Sequence, residues 1–522
     1  MPSCRGTPME KQIPTSRLSK RTAAILGAFA AILAVTAFIL SMFLMPQQNE
    51  GTINPDATVT LPNYYMNGMV FQRDKPISIK GVSNAGTQLT ISIDDGQHSS
   101  SATTIVADDG TFTVHLEKLP AQLEAYTLSI NSGDTKLLTI DEVYIGDVFL
   151  AAGQSNMEVN FHDYYSTMDK VRGNINGSFK LHDLPDYIDD TNIHFIITDN
   201  IDDVEESFGI PLRSYCQTHW LEAEESNAEY LGYLPQSFAA TLRSIHPKVP
   251  IGIIQTAWGG SSITEHTAGG HIYKTHIKPL QGYTIGGIIW YQGEKDAMTE
   301  SSVANYTTNF LKLIQQYRSI FDDSELPFMY VQLARYNGNP YTFEIQVSQS
   351  QVLKVLGLKN NVAMTVALDS DKGTSDVIHP LGKDILGSRL AQQWEAIRQH
   401  DIVPSSPIAD RAVQQSDGSI VITFEQGTAD DLCTMYPIYS TSASPTSYAL
   451  PSTNEPTGFE VMNSKGVYTY AEATISNNTV VVYPENTDVV SIRYAWPSSD
   501  ISNLIYNKAK LPASPFILTV EQ

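Results

Sequence analysis

Apolar and polar residues alternate in short runs over the segment that begins near Val59. Gln88-Leu-Thr-Ile-Ser-Ile, Thr111-Phe-Thr-Val-His-Leu and Tyr126-Thr-Leu-Ser-Ile each put every second residue on one face. A period of two is the signature of strands half-buried in a sheet. Asp94-Asp-Gly and Asp108-Asp-Gly punctuate these runs and favour tight turns. Residues 59–140 therefore read as an N-terminal β-sandwich domain. Near Glu142 the runs become continuously apolar. They are Val143-Tyr-Ile-Gly-Asp-Val-Phe-Leu-Ala-Ala, Val249-Pro-Ile-Gly-Ile-Ile-Gln-Thr, Ile285-Gly-Gly-Ile-Ile-Trp-Tyr, Phe328-Met-Tyr-Val-Gln-Leu and Val362-Ala-Met-Thr-Val-Ala-Leu. Strands covered on both faces carry such runs, as in a parallel sheet. Helical patterns lie between them at Leu234 to Ile245, Val303 to Phe321 and Leu381 to Gln399. This alternation predicts an α/β domain over residues 141–400. From Asp401 the β pattern returns, in Ser419-Ile-Val-Ile-Thr-Phe and Thr479-Val-Val-Val-Tyr, so residues 401–522 read as a C-terminal β domain.

The N-terminus follows a third pattern. Ala23 to Met45 is apolar and uncharged, long enough to cross a hydrocarbon core about 30 Å thick as a helix. Arg5, Lys11, Arg17, Lys20 and Arg21 precede it against the single acid Glu10, a basic flank that stays on the cytoplasmic side. The run exceeds the roughly 7–15 apolar residues of a cleaved signal and lacks a small-x-small ending. The expectation is a cytoplasmic basic segment over 1–22, an uncleaved transmembrane signal anchor over 23–45 and a stalk over 46–58. The catalytic part would then be extracytoplasmic, held to the membrane by one N-terminal helix.

Composition narrows the field only a little. A net charge of −23 argues against nucleic acid as a partner, because phosphate binding needs a basic surface. Cys4, Cys216 and Cys433 are too few for a disulfide framework and lack zinc-ligand spacing; pairing of Cys216 with Cys433 stays open.

Ligands of an open α/β sheet gather at the carboxyl ends of its strands. The run at Val143 leads into Gly153-Gln-Ser155-Asn-Met-Glu, where a serine can point its hydroxyl into a cleft or merely cap a helix. The next run ends in Trp258-Gly-Gly-Ser-Ser, where Gly260 can offer its N–H or simply form a turn. The third ends in Trp290-Tyr-Gln-Gly-Glu, and Gln292 supplies an uncharged donor. Asp376-Val-Ile-His379-Pro follows the run at Val362. Imidazole has the pKa to take a serine proton, and a carboxylate one turn earlier can orient the ring. Tyr164, Tyr165, Trp258 and Trp290 are candidates to stack on sugar rings, with core packing as the competing role. Glu158 and Glu294 raise a separate alternative, glycoside hydrolysis by paired carboxylates. His219, His271 and His276 read as ordinary surface or loop histidines.

At these residues the chain resembles the sialate O-acetylesterase group of the SGNH hydrolases. Gly146-Asp-Val-Phe-Leu-Ala-Ala-Gly-Gln-Ser155-Asn-Met-Glu is similar to that family's nucleophile block. Thr256-Ala-Trp-Gly-Gly-Ser, Gly287-Ile-Ile-Trp-Tyr-Gln-Gly-Glu and Asp376-Val-Ile-His379-Pro are similar to its later blocks, in the same order. The likeness extends to Met69-Val-Phe-Gln-Arg-Asp-Lys-Pro-Ile near the start, and to Ile492-Arg-Tyr-Ala-Trp and Leu511-Pro-Ala-Ser-Pro-Phe near the end. It implies a flavodoxin-like SGNH hydrolase domain of three layers, flanked by β-sandwich domains. It implies an esterase that removes acetyl groups from O-acetylated sugars or glycans without metal or cofactor. Ser155 would be the nucleophile, His379 the base and Asp376 its orienting partner. The oxyanion would meet the Ser155 and Gly260 amides and the Gln292 side chain. Glu294, a rival to Asp376, is expected to support its loop, and Trp258 is a further supporting residue. Ser261-Ser-Ile-Thr-Glu-His266 departs from the expected pattern after the glycines. Acetyl xylan or another acetylated polysaccharide remains an alternative substrate, and a non-catalytic carbohydrate-binding surface protein an alternative role.

Overall fold

The computed structural model describes residues 51–160, 187–201, 208–357, 360–370, 378–380, 382–435 and 453–522. The apolar stretch 23–45, Tyr164, Tyr165 and Asp376 lie outside these residues. Among the described residues no helix is long and apolar enough to cross a membrane.

The α/β layer is built on seven strands: β1 Thr135–Gly153, β2 Asp190–Ile197, β3 Leu221–Ala223, β4 Ile251–Gln255, β5 Gly287–Tyr291, β6 Phe328–Gln332 and β7 Val362–Val366. They lie in the order β3-β2-β4-β1-β5-β6-β7. Every neighbouring pair is parallel except β3 with β2. Each residue of β4, β5, β6 and β7 is buried, which accounts for their unbroken apolar runs.

Among the described residues five α-helices pack with the sheet: α1 Ser155–Glu158, α2 Tyr233–Ile245, α3 Glu300–Ile320, α4 Thr342–Leu356 and α5 Lys383–Gln399. In the sheet register Phe149 is level with Gly287, and Trp290, three residues further on, projects from the opposite face. Phe149 meets Phe238 of α2 and Trp394 of α5, whereas Trp290 meets Phe310 and Tyr317 of α3. Helices thus cover both faces. Helices α2 and α5 approach closely at Gly387, where a Cβ would stand 2.7 Å from the Phe238 nitrogen.

The N-terminal strands obey the two-residue period, with Thr111–Leu116 alternating exposed and buried. Gln88–Asp94 pairs antiparallel with Ser99–Ile105 and Gln122–Ser132, and the last of these pairs with the first half of β1. Residue 141, where the sequence pattern changes, therefore falls inside one 19-residue strand shared by both layers. Arg73 reinforces the junction with two bonds to Asp147 of β1, at 2.9 and 2.8 Å. The end of the expected stalk lies against this layer: the Asn54 amide donates to Ser132 Oγ and the Thr58 amide to Asn84 Oδ1.

Beyond α5, eight strands between Ala409 and Glu521 form one sheet. Ser514 ties this region to the α/β layer, with its Oγ 2.8 Å from Gln332 Nε2 and 2.6 Å from Ser350 Oγ. Tyr506 donates its hydroxyl to Asp369, just past β7. Cys216 and Cys433 are both free thiols.

Candidate active site

Three strand ends and one loop converge on Ser155. Strand β1 terminates at Gly153, which has φ +129°. A Cβ there would lie 2.1 Å from the Tyr291 carbonyl oxygen, so the strand exit requires glycine. The Gln154 amide then donates to Tyr291 O, holding the turn against β5, and Ser155 begins α1. The Trp258 amide donates to Gly153 O, which draws the loop after β4 alongside the serine. Gly259 sits so near that its Cβ would be 3.6 Å from the Ser155 Cβ and 2.5 Å from Glu158 Oε1.

His379, although 224 residues away in sequence, places Nε2 2.9 Å from Ser155 Oγ. A serine hydroxyl is a weak nucleophile until a base at hydrogen-bond distance accepts its proton, and this separation meets that requirement. Among the described residues neither the Ser155 nor the Gly260 amide donates to a backbone carbonyl. Gln292, at the end of β5, is fully buried. Its amide nitrogen donates to Asp296 Oδ2 at 2.6 Å and to Ser261 O at 3.1 Å, and Tyr306 donates to its oxygen. Burial raises the Asp296 pKa, opposed by the bonds from Gln292 and from the Ile263 amide.

Glu294 has its bonded partner in Asn156, whose Nδ2 donates to Oε1. Burial pushes its pKa up to about 7. The carbonyl of Glu294 accepts from Asn339, so the residue also anchors the loop after β6. Glu158 is partly exposed, with Asn200 donating to it at 3.2 Å and Arg213 3.9 Å away.

The aromatic candidates divide. Trp290 is wholly buried, whereas Trp258 stays partly exposed beside the rings of His271 and His276. The expectation that His276 is a surface or loop histidine is corrected: it is buried, with Nε2 3.1 Å from Asp199 O and its pKa pushed down to about 4 by desolvation. His266 is likewise buried, paired with Ser261 Oγ at 2.8 Å, and its pKa is pushed down to about 3 by the same cause.

Two residues of the site were not singled out from the sequence. One is Asn156, beside the serine. The other is Lys383, whose Nζ donates to Asn156 Oδ1 at 2.5 Å. A signal for Lys383 existed, since it extends the buried stripe of Leu386, Leu390, Trp394 and Ile397 by one turn. A lysine at such a position, in the first turn of a helix, is doubly unfavourable.

A family model described as "Carbohydrate esterase, sialic acid-specific acetylesterase" matches residues 214–395, a span that includes Gln292 and His379. A sialate O-acetylesterase of Mus musculus is 22% identical over 441 residues, covering 70% of this chain and 78% of its own. The Rattus norvegicus enzyme of that name is 23% identical, covering 63% and 71%. Among solved structures, a carbohydrate acetylesterase from Xanthomonas citri superposes with a TM-score of 0.70 at 26% identity, covering 88% of this chain and 99% of that one.

Proposed function

We propose that this chain, which belongs to the sialate O-acetylesterase family of carbohydrate esterases and is a carboxylic ester hydrolase, removes O-acetyl groups from sialic acids through an acyl-enzyme on Ser155. The observation that carries the mechanism is the 2.9 Å separation of His379 Nε2 from Ser155 Oγ. Ser155 Oγ attacks the acetyl carbonyl while Nε2 accepts the hydroxyl proton. The tetrahedral oxyanion meets the Ser155 and Gly260 amides, neither of which donates to a backbone carbonyl among the described residues. His379 next protonates the sugar oxygen as the C–O bond breaks, then takes a proton from water as that water attacks the acetyl-serine. Acetate leaves and Ser155 recovers its proton from His379. Asp376 is assigned to orient the imidazole. Gln292 would join the oxyanion donors only by releasing Asp296 or Ser261, and Trp258 borders the sugar.

The order β4-β1-β5-β6-β7, with β2 and β3 added at one edge, supports a flavodoxin-like reading of the α/β layer. The basic flank and the apolar stretch 23–45 support tethering to a membrane by one N-terminal helix.

The test is acetate release from O-acetylated sialic acid and from acetylated xylan, side by side, with Ser155→Ala as control. Preferential release from the sialic acid, abolished in the control, supports the assignment. Preference for xylan moves the substrate to plant polysaccharide and leaves the mechanism standing. Absence of release from both, by a folded protein, contradicts the proposed activity.

A further inference from the structure

His379 sits in a loop far in sequence from Ser155, and its side chain is useful only if that loop holds its position. Both carbonyls flanking it are bonded. Asn156 Nδ2 donates to Ile378 O at 3.0 Å, and Lys383 Nζ donates to Pro380 O at 3.2 Å. The two side chains also hold each other, through Nζ and Asn156 Oδ1 at 2.5 Å. The remaining Nδ2 proton of Asn156 goes to Glu294. Asn156 is the residue after Ser155, so a single amide links the serine, the histidine loop and the loop after β5.

This arrangement is expensive for the fold. Lys383 is 0% exposed, Asn156 1% and Glu294 6%. Lys383 opens α5, where the helix dipole repels a cation. Its Nζ lies 5.1 Å from the centre of the Tyr291 ring. Desolvation pushes its pKa down to about 7, against the attraction of Glu294. An apolar residue continuing the stripe of Leu386 and Leu390 would fill the position without burying an amine. What the amine adds is its bonds to Pro380 O and Asn156.

We infer that Asn156 and Lys383, with Glu294 as counter-charge, are positioning residues that clamp the backbone on both sides of His379 to the helix carrying Ser155. The inference rests on the reading of Ser155 and His379 as nucleophile and base. Removing a clamp residue lets Nε2 drift from Oγ, and a misplacement of about 1 Å lowers the rate on the order of 10²-fold.

The experiment is steady-state hydrolysis of an aryl acetate by the full chain, its Lys383→Met, Asn156→Ala and doubly substituted variants, and Ser155→Ala. Each is assayed at a temperature where circular dichroism shows it folded. Either single substitution is expected to lower kcat about 10²-fold with KM unchanged. The double variant should fall little below the weaker single one, because both act through one clamp. If one variant fails to fold, the other single variant decides. Lower melting temperatures with normal kcat would overturn the inference and leave the lysine a purely structural residue. Turnover by Ser155→Ala would instead overturn the underlying assignment, which separates the two failures.

Discussion

His379 Nε2 lies 2.9 Å from Ser155 Oγ, and Gly153 sits at the strand end that makes this approach feasible. The serine leaves β1 through a backbone conformation open to glycine, pressed against the carbonyl of Tyr291. Geometry at the strand end and chemistry at the hydroxyl are therefore one problem, and a single methyl group tests both.

Gly153→Ala introduces a Cβ that collides with the Tyr291 oxygen while forcing alanine to φ near +129°. We expect a loss of at least about 2 kcal/mol in stability, read from the urea midpoint. The folded fraction should also turn over an aryl acetate more slowly, because Ser155 moves with the displaced strand end. Unchanged stability would show that the exit relaxes without cost.

Gln292 offers a sharper discrimination. A side chain that donates to the oxyanion loses about 10²–10³ in kcat when removed, with little change in stability. Here the amide serves Asp296 and Ser261, so Gln292→Ala should cost roughly 1–3 kcal/mol by leaving Asp296 short of a donor. Its kcat, measured on folded protein, should fall less than about 10²-fold. A larger kcat loss at unchanged melting temperature would assign Gln292 to the oxyanion.

Stability should fall on acidification. His194 is buried in the sheet, stacked on Tyr144 at 4.5 Å, and desolvation pushes its pKa down to about 4. The unfolded chain takes up that proton near pH 6.5, so the fold weakens as pH drops from 6.5 towards 4. His194→Phe keeps the stacking and removes the titration. The variant should lose about 1.4 kcal/mol less per pH unit than the parent across that window. Parallel stability-against-pH curves for the two proteins would contradict this.

Strand assignments were legible wherever burial on both faces produced unbroken apolar runs, as at Ile251–Gln255 and Gly287–Tyr291. Strand β2 was not, because Asp190, Asn192 and His194 interrupt its pattern. Helix α4 was concealed for a different reason. Phe343, Ile345 and Val347 alternate with polar residues as a strand would, while its buried face uses Gln346 and Gln349. Those amides bond to backbone groups that are brought within reach only by the fold: Gln349 Oε1 accepts from the Leu333 amide and Gln346 Nε2 donates to Leu333 O. The serine and histidine stood out through their positions after expected strands. The clamp behind them did not, because nothing local in the sequence says that Lys383 and Asn156 meet.

The most direct test of Ser155 as a nucleophile activated by His379 is labelling by an aryl phosphonate that traps the attacking oxygen, followed by peptide mass mapping. The structure predicts a single adduct on the peptide carrying Ser155, formed far more slowly in His379→Ala. An adduct on another residue, or labelling of Ser155 at full rate without His379, would contradict it.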